Sequence, residues 1–188
     1  MTRARAFGLI LFVLLVAAVG VMLIVVAPQW YAANREVRPA AAVPERVATR
    51  KIRATLFYVS EDGQSLVPLE REVPYGEGVV EQARRIVEAE IAPAPTPLAS
   101  ALPPGTKVRA LYVTERGDAF VDFSPELVAA HPGGSLNELL TVYSVVDALT
   151  ANLPAVHAVQ LLVDGREVDS LAGHVDVRRP LKKRTVGR

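Results

Sequence analysis

The chain has no cysteine. Disulfides and thiolate metal sites are therefore excluded, and so is a lipid anchor on cysteine. A domain without thiols cannot misoxidise, which fits export. Histidine is scarce too, with His131, His157 and His174 the full set, and none has a third ligand at a recognisable metal spacing. Cations are scarce where the chain should fold. Residues 53–180 carry ten Lys+Arg against eighteen Asp+Glu, a net charge of −8. The remainder carries eleven against two, a net of +9, so the overall +1 hides an acidic body with basic ends. An acidic body does not replace phosphate counterions, and no nucleic-acid partner is expected.

What the sequence does have begins with residues 7–27, twenty-one consecutive uncharged and mostly apolar residues. At 1.5 Å per residue a helix of that length spans roughly the hydrocarbon thickness of a bilayer. It is longer than the apolar core of a cleaved signal peptide, and Trp30 and Tyr31 follow where an aromatic belt would sit. The expectation is a retained signal anchor over 7–27. Arg3 and Arg5 bias residues 1–6 to the cytoplasm and the C-terminal body to the outside. Residues 28–52, with Pro28, Pro39 and Pro44 and an alanine run, read as a linker. Its cations Arg35, Arg38, Arg46, Arg50 and Lys51 face either anionic lipid or plain solvent.

The folded body is read as residues 53–180, expected to fold on its own. Ala54–Ser60 and Leu66–Val73 read as strands joined across Glu61-Asp62-Gly63-Gln64, with Pro68 marking an edge or a bulge. A helix over 77–91 shows Val79, Val80, Ala83, Ile86, Val87 and Ile91 as its apolar stripe, with Arg84, Arg85, Glu88 and Glu90 on the wet face. A loop with five prolines between Pro93 and Pro104 crosses the surface. Strands follow at Lys107–Thr114 and Ala119–Phe123. Ser124 then caps a short turn with Pro125 at its first position.

The body is organised around the next helix. Ser135 and Glu138 read as an S-x-x-E capping box. Leu136, Leu139, Leu140, Tyr143, Val146 and Leu149 make the stripe, widened by Val142 and Val145, and Pro154 ends it. His157–Val163 reads as a strand, Asp164-Gly165 as a turn into Glu167-Val168, and Leu171–Val177 as the closing strand. Residues 181–188 read as a flexible basic tail. The fold class expected is α+β: one antiparallel or mixed sheet with two main helices on a face, preceded by one transmembrane helix.

Several residues are of types that carry chemistry in other proteins, and each also fits a plain structural role. His131-Pro132-Gly133-Gly134-Ser135 opens a helix, where free amides bind anions, but no lysine follows as in a phosphate loop. His174 and Asp176 alternate on the expected strand and share a face. Asp118 and Asp122 share another, with Asp147 a third carboxylate. Ser124 and Ser144 lack a nucleophile-elbow context, and Tyr143 falls on the apolar stripe. Lys182, Lys183, Arg184 and Arg188 either fold back on the acidic body, reach lipid or stay solvated. Catalytic, cofactor-binding and metal residues are each expected to be none.

Four strings carry a resemblance: FYVSEDGQSLVPLEREVP (57–74), LPPGTKVRALYV (102–113), AFVDFSPEL with HPGGSLNELLTVYSVVDALTANLPAV (119–127 and 131–156), and VQLLVDGREVDSLAGHVDVRRP (159–180). Residues 54–180 resemble the GerMN domain family of sporulation and germination proteins. The resemblance implies an envelope-anchored assembly factor with no catalytic residue, whose domains are similar to ring-building modules of secretion systems. Family proteins with tandem domains and a lipidated cysteine differ from this chain, which has one such domain and an apolar anchor. The implied function is a non-enzymatic interaction or assembly module of the bacterial envelope, docking by an edge strand or a helix face. Expected partners are envelope proteins or the protein itself, the cytoplasmic membrane through residues 7–27, and possible peptidoglycan contact. The alternative is a peptidoglycan-associated binding module or an accessory to a cell-wall hydrolase. That alternative needs stacking aromatics, which Phe57, Tyr58, Tyr75, Tyr112, Phe120, Phe123 and Tyr143 would have to supply.

Overall fold

The computed structural model describes residues 20–22 and 50–184. Residues 20–22 are helical. The rest of the expected anchor 7–27, the tail 1–6, the linker up to residue 49 and the last four residues lie outside the described residues. Among the described residues, no helix is long and apolar enough to cross a membrane. The chain divides into Met1–Ala48 and Thr49–Arg188, and the elements below belong to the second unit.

The unit is α+β. Strands β1 (Lys51–Val59) and β2 (Leu66–Pro74) form an antiparallel hairpin. Helix α1 (Gly78–Ile91) follows, then β3 (Val108–Val113) and β4 (Asp118–Phe123), a short α2 (Glu126–Ala129) and the long α3 (Ser135–Asn152). Strands β5 (Ala158–Val163) and β6 (Arg166–Glu167) complete a second sheet of order β3-β4-β5-β6. Its β4–β5 pair is parallel, and its other pairs are antiparallel. Helix α3 packs against β1, α1 and β5, so the core lies around it. Ala54, Leu56 and Tyr58 from β1 meet Ala83, Ile86 and Val87 from α1 and Val142, Val145, Val146 and Leu149 from α3.

The structure has two sheets where the sequence suggests one, and β1 shows why. Its edge away from β2 is already occupied. Thr55 N–H donates to Asn152 Oδ1 at 2.8 Å, and Asn152 Nδ2 donates back to Thr55 O at 2.7 Å. Phe57 N–H donates to Glu90 Oε1 at 2.7 Å, and Val59 exchanges two backbone bonds with Ala99. Side chains and a loop thus satisfy groups that another strand would otherwise pair. The other edge, β2, is blunted differently. Phe57 points its N–H away from β2, so Pro68 opposite it faces the free edge, where it offers no donor. Pro74 lies three alternations further on the same side.

The structure departs from the sequence expectation in four places. Ser135 and Glu138 form no capping box: Gly134, at φ 85°, is the N-cap of α3, and no side chain caps the helix. The stripe on α3 is also displaced. Leu136 is 43% exposed, whereas Thr141, Val142, Ser144, Val145 and Ala148 are buried. The reason is that α3 is enclosed on several sides after its first turn, while its N-terminal turn projects. On α1, Val79 and Val80 are exposed and Glu90, expected on the wet face, is buried. Leu171–Val177 is a run of bends rather than a strand. Smaller differences occur at the ends. Strand β1 starts at Lys51, ahead of the expected Ala54, and Leu181 pairs with Val159 rather than hanging free.

Gly117 joins β3 to β4 at φ 82°, and a Cβ there would lie 2.6 Å from His157 Cδ2 and 2.7 Å from Ala155 O. Gly117→Ala should therefore cost about 2–4 kcal/mol from left-handed strain and overpacking together. Urea unfolding of residues 49–188 would measure it, and a loss within experimental error would refute the steric account.

Candidate functional site

The glycine turn before α3 is filled by the protein's own groups. Gly133 N–H donates to His131 Nδ1 at 3.0 Å, His131 Nε2 lies 3.2 Å from Thr141 Oγ1, and Asn137 Nδ2 donates to Gly133 O at 2.9 Å. Burial holds the His131 pKa below its ordinary value, with Glu138 opposing. A neutral imidazole bridging turn and helix is a structural arrangement.

Glu138 sits on the first turn of α3 and is fully buried. Its Oε1 accepts from Leu171 N–H at 2.7 Å and its Oε2 from His174 N–H at 2.8 Å. The His174 ring nitrogen Nδ1 lies 3.3 Å from Oε2. Burial alone would raise the Glu138 pKa. The amides of Ala172, His174, Leu171 and Val175 outweigh it and hold the carboxyl below its usual range. The loop 171–175 is thus wrapped around one carboxylate. No strand alternation relates His174 to Asp176: His174 belongs to this bent loop, and Asp176 pairs with Arg178 at 2.8 Å. Arg178 draws the Asp176 pKa down to about 2.

The remaining candidates also hold structure. Asp122 Oδ1 accepts from Gly165 N–H at 2.7 Å, tying β4 to the β5–β6 turn, and its Oδ2 lies 3.8 Å from Arg109, which pairs with Asp164. Asp118 closes the β3–β4 turn, where its N–H donates to Thr114 Oγ1 at 3.1 Å. Ser124 Oγ accepts from Lys107 N–H at 3.0 Å, and α2 has no side-chain cap; Pro125, expected at its first position, is its N-cap residue. Ser144 Oγ donates to Thr141 O within the buried helix. The His157 ring lies against Gly117. Among the described residues, no three His, Asp or Glu side chains cluster closely enough to hold a metal.

An open apolar groove lies between the β1–β2 hairpin and α3. Phe57 and Leu66 form one wall and Leu136, Leu139 and Leu140 the other, around a volume of about 320 Å³. Asp147, Lys183 and Arg184 line it as well. Asp147 is 8% exposed, and its Oδ1 has no hydrogen-bond partner among the described residues. Burial raises its pKa, against the pull of Arg184 and Lys183. Arg184 itself sits over the Tyr143 ring, 4.6 Å from its centroid. In the sequence these residues fall in a helical stripe, a lone carboxylate and a basic tail, far apart along the chain. The available signal is Asp147 itself, an acid flanked by Val145, Val146 and Ala148 in an apolar run.

Fold and side chains together define an α+β module in which most candidate polar residues tie loops and turns to the core, with an apolar groove beside its long helix. The family model described as Germane, sporulation and spore germination, matches residues 55–169, and the chain belongs to this family. In structure it is similar to the tandem GerMN domains of the sporulation protein GerM from Bacillus subtilis, with 20% identity and a TM-score of 0.56 over 74% of this chain. It spans 51% of that protein's chain, about half its length. It is also similar to the first GerMN domain of the same protein, with 21% identity and a TM-score of 0.55 over 70% of this chain and 97% of that one. A putative lipoprotein from Clostridium perfringens shares 25% identity, with a TM-score of 0.51 over 71% of this chain and 88% of that one. The chain matches no curated protein.

Proposed function

We propose that this protein is a non-enzymatic, membrane-anchored module of the bacterial envelope that binds other proteins or itself during assembly, in the manner of GerM. The observation that carries the reading is the family match over residues 55–169, joined to a likeness to a sporulation protein and to a putative lipoprotein. In this reading residues 7–27 anchor the chain and the body 53–180 lies outside the cytoplasmic membrane. Docking falls to the groove beside α3 in preference to the hairpin edges, because Pro68 and Pro74 blunt one and Asn152, Glu90 and Ala99 fill the other.

In-cell crosslinking of the full chain, followed by affinity capture and mass spectrometry, tests this. A short reproducible set of envelope proteins, lost when residues 53–180 are deleted but the anchor is kept, is the expected result. Capture of nothing beyond what the anchor alone retains would overturn it. Binding to purified sacculi, with no protein partner, would favour the peptidoglycan alternative. Tyr75 and Tyr112, the exposed aromatics of the described body, do not line the groove.

A further inference from the structure

Arg50 immediately precedes β1, where the linker enters the body. Its guanidinium lies over the Tyr75 ring, 4.2 Å from the centroid, and Tyr75 N–H donates to Arg50 O at 2.7 Å. The entry point is thus fixed beside the loop that opens α1. Gly76 N–H donates to Gln82 Oε1 at 2.9 Å, and a Cβ at Gly76 would lie 2.6 Å from Gln82 N. Residues 74–76 are therefore held against the start of the helix. Six large apolar side chains of the described body stand exposed, and three of them fall in this short span. Tyr75 is 40%, Val79 38% and Val80 45% exposed. The other three, Tyr112, Val128 and Leu136, lie on β3, α2 and α3.

What such a patch takes depends on its rim. Lys51 pairs with Glu72 at 2.9 Å and Arg85 with Glu81 at 2.8 Å, so much of the nearby charge is already matched. A strongly charged partner finds little complement here. A tyrosine with a cation on its ring and branched aliphatics beside it suits a lipid–water interface. The aliphatics leave water there, while the phenol and guanidinium stay among headgroups. Residues 28–50 separate the expected anchor from β1, a tether of at most about 80 Å. Three half-exposed side chains would hold a free protein on lipid only weakly. Tethering makes the contact intramolecular, so a weak affinity suffices.

We propose that Tyr75, Val79 and Val80 rest in the headgroup region of the outer leaflet of the membrane that anchors the chain. The inference rests on the reading of residues 7–27 as an anchor, and it gives the body an orientation. Lys51 pairs with Pro74 at the patch end of the hairpin, and Val59 with Leu66 at the other. Strand rise puts that other end about 26 Å from the patch. The groove wall of Phe57 and Leu66 lies toward it, so contact through the patch leaves the groove clear of lipid.

The test uses the full chain in phospholipid nanodiscs, one chain per disc, with gadolinium-chelating lipid headgroups as the probe. Amide relaxation enhancement should peak at residues 75–80 and be about tenfold smaller at 60–66, given the roughly 26 Å between the two ends. The profile should be the same in neutral phosphatidylcholine discs and with anionic phosphatidylglycerol added, because apolar side chains carry the contact. Tyr75→Ser, Val79→Ser and Val80→Ser together change exposed side chains only. The remaining amide spectrum should persist while the peak at 75–80 falls about fivefold, as the apolar area that leaves water is lost.

An even profile, or a peak on another face, would overturn the proposal. So would a peak that survives the triple substitution. A peak seen only with phosphatidylglycerol would assign the contact to the cations and overturn it as well. A photocrosslinker in place of Val80 in cells should yield lipid adducts. Mainly protein adducts would make a partner or a second copy the occupant, against the proposal. Assembly into discs distinguishes the levels. A chain that stays out of the discs refutes the anchor and the patch together, whereas an inserted chain with an even profile refutes the patch alone.

Discussion

Glu138→Ala is expected to cost about 3–5 kcal/mol, the range for removing one partner from a buried charged network. The carboxylate is fully buried and receives the amides of Leu171 and His174 at 2.7 and 2.8 Å. Without it those N–H groups face a cavity. Against a total stability of about 5–15 kcal/mol for a domain, such a loss is a large fraction. Two observables separate this from a general weakening. Urea unfolding of residues 49–188 should show the full loss, and amide exchange should show protection lost first at Leu171 and His174. Glu138→Gln fits the space but turns an amide group toward backbone donors, so it should also destabilise. If Glu138→Ala exchanged at 171–175 like the natural chain, the loop would not depend on this carboxylate.

The same carboxylate fixes a sign for acid sensitivity. Its folded-state pKa lies below its ordinary 4.5. Its contribution is therefore present above pH 4.5 and is lost as pH falls through the lower folded value.

Glu90 is expected to act in the opposite direction. Only 1% exposed, it gives Oε1 to Phe57 N–H, while Oε2 has no partner among the described residues. Burial pushes its pKa from 4.5 up to about 8, against the pull of the Phe57 amide and Arg71. Below pH 4.5 both folded and unfolded chains hold the proton, so there is no dependence. Between 4.5 and 8 the unfolded chain releases it and the folded chain keeps it, so stability falls as pH rises. Above 8 the loss levels off. At 1.36 kcal/mol per pKa unit, the full fall is roughly 4–5 kcal/mol, an upper bound because buried sites relax. Glu90→Gln keeps an acceptor for Phe57 and cannot ionise. Its stability relative to the natural chain should be near equal at pH 4.5 and several kcal/mol higher at pH 8. Parallel urea curves across that window check it, and a constant difference between the two proteins would refute the assignment.

Both acids show where a single sequence stops. Glu138 sits four residues from Gly134 at a helix start, and S-x-x-E there reads as a capping box. Nothing local reveals that a loop more than thirty residues later supplies stronger donors. Glu90 lies beside apolar Ile91 on a helix with alternating charge, and periodicity sends it to water. Its fate is set by β1, whose Phe57 needs an acceptor at the edge left unpaired by the hairpin. Asn152 answers the same need two residues away on β1. These are long-range backbone debts, and hydrophobic patterning does not record them. The stripe on α3 misleads for a related reason. Leu136 and Leu139 obey the helical period, yet they belong to a groove wall, because the hairpin meets the helix only beyond its first turns.

Within the described body the sequence by itself determined most elements and their order, the closing strand expected at Leu171–Val177 excepted. Gly and Pro punctuate the chain, the Asp164-Gly165 turn and the alternating strands are local features, and the α+β class follows from them. The GerMN resemblance is likewise legible, since the strings that carry it are contiguous. The tertiary structure alone decided that the hairpin stands apart from the main sheet, that Glu138 and Glu90 are buried acceptors, and that Phe57, Leu136, Asp147 and Lys183 line one groove. Local conformation depends on near neighbours, whereas burial and hydrogen-bond partnership are fixed by residues brought together across the chain.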